Sequence, residues 1–387
     1  MKNLGLWFLL VAACGGSNSK SGDDDDTVDG GNRTDSMVLV DAAPAPDAFV
    51  CTANIQSDPN NCGACGRSCL GSSCTAGMCT TERMDGGEAT GYGDVHTDNL
   101  FIYYTAFISG VSPHRIWRRP IGSGNVSYVG VLSTPTPISE MAFVSDNFYI
   151  AEPNRIDTQN RGIVKKINKE PFTETPLANF LEPTTTAVVE SGGFVYWATD
   201  VDGANGGDIK KVSTAGGAAS AVTVAAGTVD YMKINATNIY WVGGGQLKRA
   251  ALPSGTPVAM GATTSKTFEI DATRVYTING GTIVATPLGG GGQVTLGGAG
   301  LTQGVSADDD YVYAAQAGNK LVAVPKAGGS AIQMWTEPAI DAGNGCFLNY
   351  KISRVKVIGQ YVYFSAPVIN SCGNTLSSEG LYRTPRM

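Results

Sequence analysis

From residue 92 onward, apolar and polar positions recur in one phrase. Tyr103, Tyr149, Tyr196, Tyr240, Tyr276, Tyr313 and Tyr363 each follow an apolar residue: Ile102, Phe148, Val195, Ile239, Val275, Val312 and Val362. Eight positions before each tyrosine stands another, in turn Val95, Met141, Val188, Met232, Phe268, Val305 and Val355. Successive tyrosines lie 36 to 50 residues apart. In four units an Asp or Asn stands five residues before the tyrosine (Asp98, Asn235, Asp271 and Asp308). Such a side chain can bond the backbone two residues on, which suits the tight turn between two strands. A third strand is predicted from Ile116, Val164, Ile209, Leu247, Ile283, Leu321 and Leu381. A glycine-rich turn follows, as at Ala215-Gly216-Gly217 or Ala327-Gly328-Gly329, and then an outer strand, as at 126–132 or 219–225.

Four short strands in each unit of about 40 residues predict an all-β fold, a seven-bladed β-propeller. The physical reason is burial: a four-stranded sheet with two apolar faces needs a neighbour on each side. A pair of β-sandwiches is the alternative. The seventh unit stops after its third strand, and the segment 80–84, just ahead of the first unit, is expected to supply the missing outer strand. The units Phe194-Val-Tyr-Trp-Ala-Thr-Asp200 and Asn238-Ile-Tyr-Trp241 resemble the YWTD-type and TolB-like propellers. That resemblance implies the fold and leaves function open, because such propellers serve as receptors, scaffolds and enzymes alike.

Composition agrees with strands. Glycine is abundant at 50 residues, few stretches carry the period of an amphipathic helix, and charged residues are 16%. A net charge of −7 argues against a nucleic-acid partner, which would call for a basic stripe.

The segment ahead of the repeats predicts export. Lys2 and the apolar run Leu4 to Val11 form a signal segment (1–13) too short to span a bilayer. Val11, Ala12 and Ala13 before Cys14 resemble the bacterial lipobox. That resemblance implies cleavage before Cys14, diacylation of its thiol (palmitate-type chains) and, usually, a third chain on the new amino terminus. Two or more chains anchor stably where one does not. An ordinary secretory signal with a chance cysteine is the alternative. Gly15 stands where an aspartate would signal inner-membrane retention, which favours the outer membrane. Residues 14–50, with the run Asp23 to Asp26 and Ala-Pro repeats around Pro44 and Pro46, have the composition of a solvated tether.

Residues 51–79 form a Cys-rich module with Cys51, Cys62, Cys65, Cys69, Cys74 and Cys79. In an exported chain this density predicts three disulfides, with 15 possible connectivities. Cys62-x-x-Cys65 leaves zinc or redox chemistry as the alternative. The stretch Asn61 to Cys79 resembles small Cys-rich modules that precede the main domain of exported bacterial lipoproteins. The propeller is assigned to 80–387. Within it, Cys346 precedes the seventh unit's first strand and Cys372 lies between its second and third, so the two are expected on one face and bridged.

Loops between second and third strands are tight in units four to six and long in units seven, one, two and three (366–380, 106–114, 152–162, 199–208). The long ones should wall one side of one face, a candidate binding rim. One carries Asp200, Asp202, Asn205 and Asp208 among glycines, a candidate calcium site, since calcium takes six to eight oxygens on a flexible loop. A Gly/Asp turn without metal is the alternative. Arg118, Lys166, Lys211, Arg249 and Arg383 occupy one equivalent third-strand position; pairing with acids or snorkelling along the blade surface is expected there rather than an anion-binding ring. The two histidines are His96 and His114. His96 is expected to be packed, and Lys233 and Glu269 to form a charge pair. No nucleophile elbow, zinc-helix motif or phosphate loop occurs, so no catalytic residue is assigned. The expected function is that of a lipid-anchored envelope lipoprotein whose propeller binds a protein or glycan through one face. The alternatives are a metal-dependent propeller hydrolase or lyase and a structural envelope component.

Overall fold

The computed structural model describes residues 52–85, 91–108, 111–122, 124–133, 140–152, 162–179, 184–199, 207–224, 227–337, 340–343, 346–370 and 377–387. Among them are strands and no helix. Cys14, Cys51, Asp200, Asp202, Asn205 and Cys372 lie outside, as does the side chain of Cys346, and with them the calcium loop and the Cys346–Cys372 bridge.

Seven antiparallel sheets form seven blades of a β-propeller. Six of them have four strands in simple sequence order from the axis outward. Blade 1, for example, runs through Gly91–Thr97, Phe101–Ile108, Val111–Pro120 and Ser127–Val131. Because side chains alternate across a strand, each blade buries both faces. Val95 and Ile102 pack against blade 7, and Tyr103 and Ile116 against blade 2. The same holds all the way round: seven apolar clusters fill the seven seams between neighbouring blades, each cluster drawing on two blades. All seven repeat tyrosines, their preceding residues and the apolar positions eight before them are buried. A sandwich pair has no place for seven such seams.

The Asx and tyrosine signals of the repeat meet in space. Asp98, Asp271 and Asp308 each accept a backbone N–H two residues on, and each also accepts the hydroxyl of its own blade's tyrosine: Tyr103, Tyr276 and Tyr313, all at 2.6 Å. A cation just beyond the third strand of the next blade completes the brace: Lys169 on Asp98 (2.9 Å), Lys326 on Asp271 (2.7 Å) and Arg386 on Asp308 (3.5 Å). Blade 4 has the neutral Asn235 at this turn, bonded to Tyr240 at 3.3 Å, and blade 5 there places Leu288, whose carbonyl accepts from Arg249.

Ring closure follows the sequence expectation. Glu82–Arg83 pairs antiparallel with Ser377–Pro385, Glu82 opposite Arg383, as the outer strand of blade 7, and the Met84 N–H donates to the Leu381 carbonyl at 2.7 Å. The Glu82 carboxylate receives Arg383 of blade 7 and Arg119 of blade 1, both at 2.6 Å, so one acid ties the first and last blades.

The Cys-rich segment packs on blades 6 and 7. Cys62 is bridged to Cys74 and Cys69 to Cys79, and Cys65 is disulfide-bonded as well. The sulfurs of Cys62, Cys69 and Cys79 converge, but disulfide sulfurs are not the thiolates zinc needs. Arg67, 3% exposed, donates to the Cys62 carbonyl inside the module and to the Pro385 carbonyl of blade 7.

Two loops expected to be long are largely strand. The blade 1 hairpin stays paired up to Ile108 and Val111. In blade 7, Tyr361–Asn370 outruns its inner partner Arg354–Ile358, and its far half pairs with Cys346–Tyr350, which pairs with Ile340–Gly343. Cys346 therefore opens a strand of its own ahead of the blade's innermost strand. The free backbone of an overlong strand is satisfied by a second hairpin.

Candidate functional site: the polar axis and its mouth

The innermost strands converge on the propeller axis. Side chains alternate across each innermost strand, so the two neighbours of the apolar residue eight before each tyrosine lie on the strand's other side. One ring of positions is Asp94, Glu140, Ala187, Tyr231, Thr267, Gly304 and Arg354; the next, deeper along the strands, is His96, Ala142, Val189, Lys233, Glu269, Ser306 and Lys356; Ala142, Ala187 and Val189 pack into the seams, while polar members of both rings meet at the axis. Residues of blades 1, 4, 5, 6 and 7 share one cavity of about 20 Å3, among them Asp94, Tyr231, Glu269, Arg354 and Lys356. That is room for a single water.

Backbone irregularity aims these side chains. The pairing register slips between Tyr92 and Val95 in blade 1 and between Gln303 and Val305 in blade 6. Gly304 takes φ +69°, and a Cβ there would come within 2.9 Å of Val355 Cγ2, so this bulge needs glycine.

The deep ring is held by charge pairs. Lys233 pairs with Glu269 as expected, and the Ser306 hydroxyl donates to the same carboxylate at 3.3 Å while accepting the Val357 N–H at 3.0 Å. His96 is not simply packed: its Nε2 lies 3.0 Å from Asp94 Oδ2, with Phe143 beside the ring. Lys356 reaches Asp94 from blade 7 at 3.7 Å. Burial opposes ionisation of Asp94, yet Lys356, His96 and Arg354 outweigh it and hold the carboxyl far below the usual range. Burial likewise lowers Lys233 despite Glu269, whereas Lys356 is raised because Asp94, Glu269 and Glu140 overcome burial.

Where the innermost strands begin, the axis opens into a mouth of about 320 Å3 lined by Glu140, Asp230, Lys266, Thr267, Gln303, Gly304, Ser353 and Arg354. Glu140, 3% exposed, meets Arg354 at 3.5 Å across the axis. Burial pushes its carboxyl up to about 8; Arg354 offsets only part of that, and Asp94 adds to it. Strands that start here put the connections between second and third strands at the same end, so the mouth lies on the face of the candidate rim.

Of the sequence-derived candidates, Asp208 opens a third strand and its N–H donates to Thr199 Oγ1 at 2.8 Å, closing the neck of its loop. The third-strand cations do not form a ring. Arg118 pairs with Glu170 at 2.8 Å, Lys211 lies over Phe194, and Arg383 binds Glu82. His114 is buried, and burial lowers its pKa. Sequence reasoning singles out His96, Lys233 and Glu269 after the apolar residue but misses the position before it, which holds Asp94, Glu140 and Arg354. The period-two alternation of a strand was the signal that would have found it.

No protein-family model matches the chain, and no curated protein matches it. Among solved structures it is similar to YCF48 bound to D1 peptide (12% identity over 80% of this chain and 94% of that one, TM-score 0.54). It is also similar to YCF48 from Cyanidioschyzon merolae (12% identity, 79% and 98%, TM-score 0.52). The computationally designed Ika8 protein is a third likeness (12% identity, 78% and 98%, TM-score 0.50). At such identity the likeness is one of fold.

Proposed function

We propose that this chain is an exported, lipid-anchored binding propeller that presents one face to a protein or glycan. The observation that carries this reading is the meeting, at one face, of the polar axial mouth with the extended hairpins of blades 1 and 7. Rigid sheets that hold longer elements around a central pocket are the usual arrangement of a binding surface. Export is supported by the disulfides, which persist in oxidising compartments. Anchoring rests on Cys14 and its preceding small residues. The solved YCF48 structure with D1 peptide is a propeller holding a peptide, which makes a protein ligand reasonable here. The metal-dependent enzyme reading has less support: the axial acids Asp94, Glu140 and Glu269 each face a cation side chain, and among the described residues no three His, Asp or Glu side chains converge.

Site-specific photocrosslinking in cells producing the protein tests the face. A crosslinking amino acid at Lys266, on the mouth, is expected to give a discrete adduct. One at Leu100, in a turn at the opposite face, is expected to give none. Adducts from Leu100 alone, or none from Lys266, would sink the proposal.

A further inference from the structure

The mouth has the size, polarity and charge of a seat for one acidic sugar. Its volume of about 320 Å3 is at the small end for ligand pockets, enough for a single sugar ring. Seven of its eight lining residues have polar side chains and the eighth is glycine, so no aliphatic or aromatic side chain lines it. Arg354 is the cation of its floor. A guanidinium has five N–H donors, and among the described residues Arg354 makes one polar contact, the 3.5 Å approach to Glu140 Oε1. Lys266 supplies a second cation at the rim, 3.5 Å from Asp230. Asp230, Thr267 and Gln303 line the same mouth and carry the kinds of donor and acceptor that sugar hydroxyls use.

We propose that this mouth binds a uronic acid unit of a glycan, its carboxylate on the Arg354 guanidinium and its hydroxyls among Asp230, Thr267 and Gln303. The inference rests on the loop-bearing face being the binding face. Glu140 makes the seat sensitive to protons. It is faced by Arg354 and Lys356 of blade 7, Asp94 of blade 1 and Tyr231 of blade 4. With its carboxyl pushed up to about 8, Glu140 is mainly protonated at neutral pH, and the Arg354 charge is then available to an incoming anion. Above that pH the new carboxylate competes for Arg354.

The test is calorimetric titration of the full exported chain, disulfides formed, with D-galacturonate and D-glucuronate, and with D-galactose and methyl D-galacturonate as uncharged controls. A uronate is expected to bind at pH 6.5 at least tenfold more tightly than its uncharged counterpart, and several-fold more weakly at pH 9. Arg354→Gln should lose about tenfold or more in affinity, the usual scale for a charge-assisted hydrogen bond, with an unchanged melting temperature. Glu140→Gln, nearly isosteric, should bind at pH 9 as the native chain does at pH 6.5. Equal binding of neutral sugars, no heat with either uronate, or full affinity in a folded Arg354→Gln overturns the proposal. So does binding of a peptide with a free terminal carboxylate, abolished by its amidation, when both uronates fail. Crosslinking from Lys266 would persist if only the sugar assignment were wrong, so the two failures can be told apart.

Discussion

A single repeated aspartate shows how one residue serves turn, blade and ring. Asp271 caps its own turn, accepts the Tyr276 hydroxyl and pairs with Lys326 of the next blade. Burial opposes its ionisation, but the Lys326 and Tyr276 bonds and the turn's N–H groups hold its carboxyl well below the usual range. A carboxyl depressed in the folded state stabilises the fold above its unfolded pKa, about 3.9, and that stability is lost as pH falls below it. Asp271→Asn is therefore expected to cost about 1 kcal/mol near neutral pH, and the gap from the native chain should close between about pH 4 and pH 2. Blades 4 and 5 already carry the neutral version, Asn235 with Leu288. The double variant Asp271→Asn with Lys326→Leu should accordingly lose less than the sum of the single losses, measured by denaturant unfolding.

At the level of elements, the closing strand is two residues long, yet it supplies the outer strand of blade 7 from the segment just ahead of blade 1. It also brings Glu82, on which Arg383 and Arg119 meet, and Met84, buried in the seam of blades 7 and 1. Deletion of 80–84 would leave an unpaired edge and strand two arginines without their acid. We expect a lower and broader thermal transition by circular dichroism, because blades beside an open seam fray before the rest. Glu82→Ala alone, its carboxylate partly solvated, should cost about 1–2 kcal/mol with the transition still single. An unchanged midpoint in the deletion would mean the ring closes without this strand.

For the whole molecule, the Cys-rich segment and the closing strand are continuous in sequence and both grip blade 7. In sequence, the proposed anchor is thus followed by a disulfide-bonded segment held on blade 7. If Cys14 carries the lipid, Cys14→Ser should move the protein from the membrane fraction to the soluble one and abolish labelling by a palmitate analogue, without altering the melting temperature. Retention of the variant in the membrane fraction would place the attachment elsewhere.

What the chain by itself determined is everything that repeats. The tyrosine spacing, the apolar partners eight residues ahead and the Asx turns sufficed for seven blades, because each signal is local to one sheet and recurs with it. Even the closure was legible, since a blade one strand short needs a donor. Tertiary structure alone decided what lies between units. Asp94, Glu140 and Arg354 are far apart in sequence, and none occurs in a motif; closing the ring brings them onto one axis, where burial and neighbouring charge set their protonation. The cations on the Asx turns come from the following blade, and the hairpin that pairs with the overlong strand of blade 7 was hidden because its register depends on a partner, not on a pattern. Repetition encodes the blades, whereas the chemistry of the axis arises where the blades differ and only their arrangement in space brings those differences together.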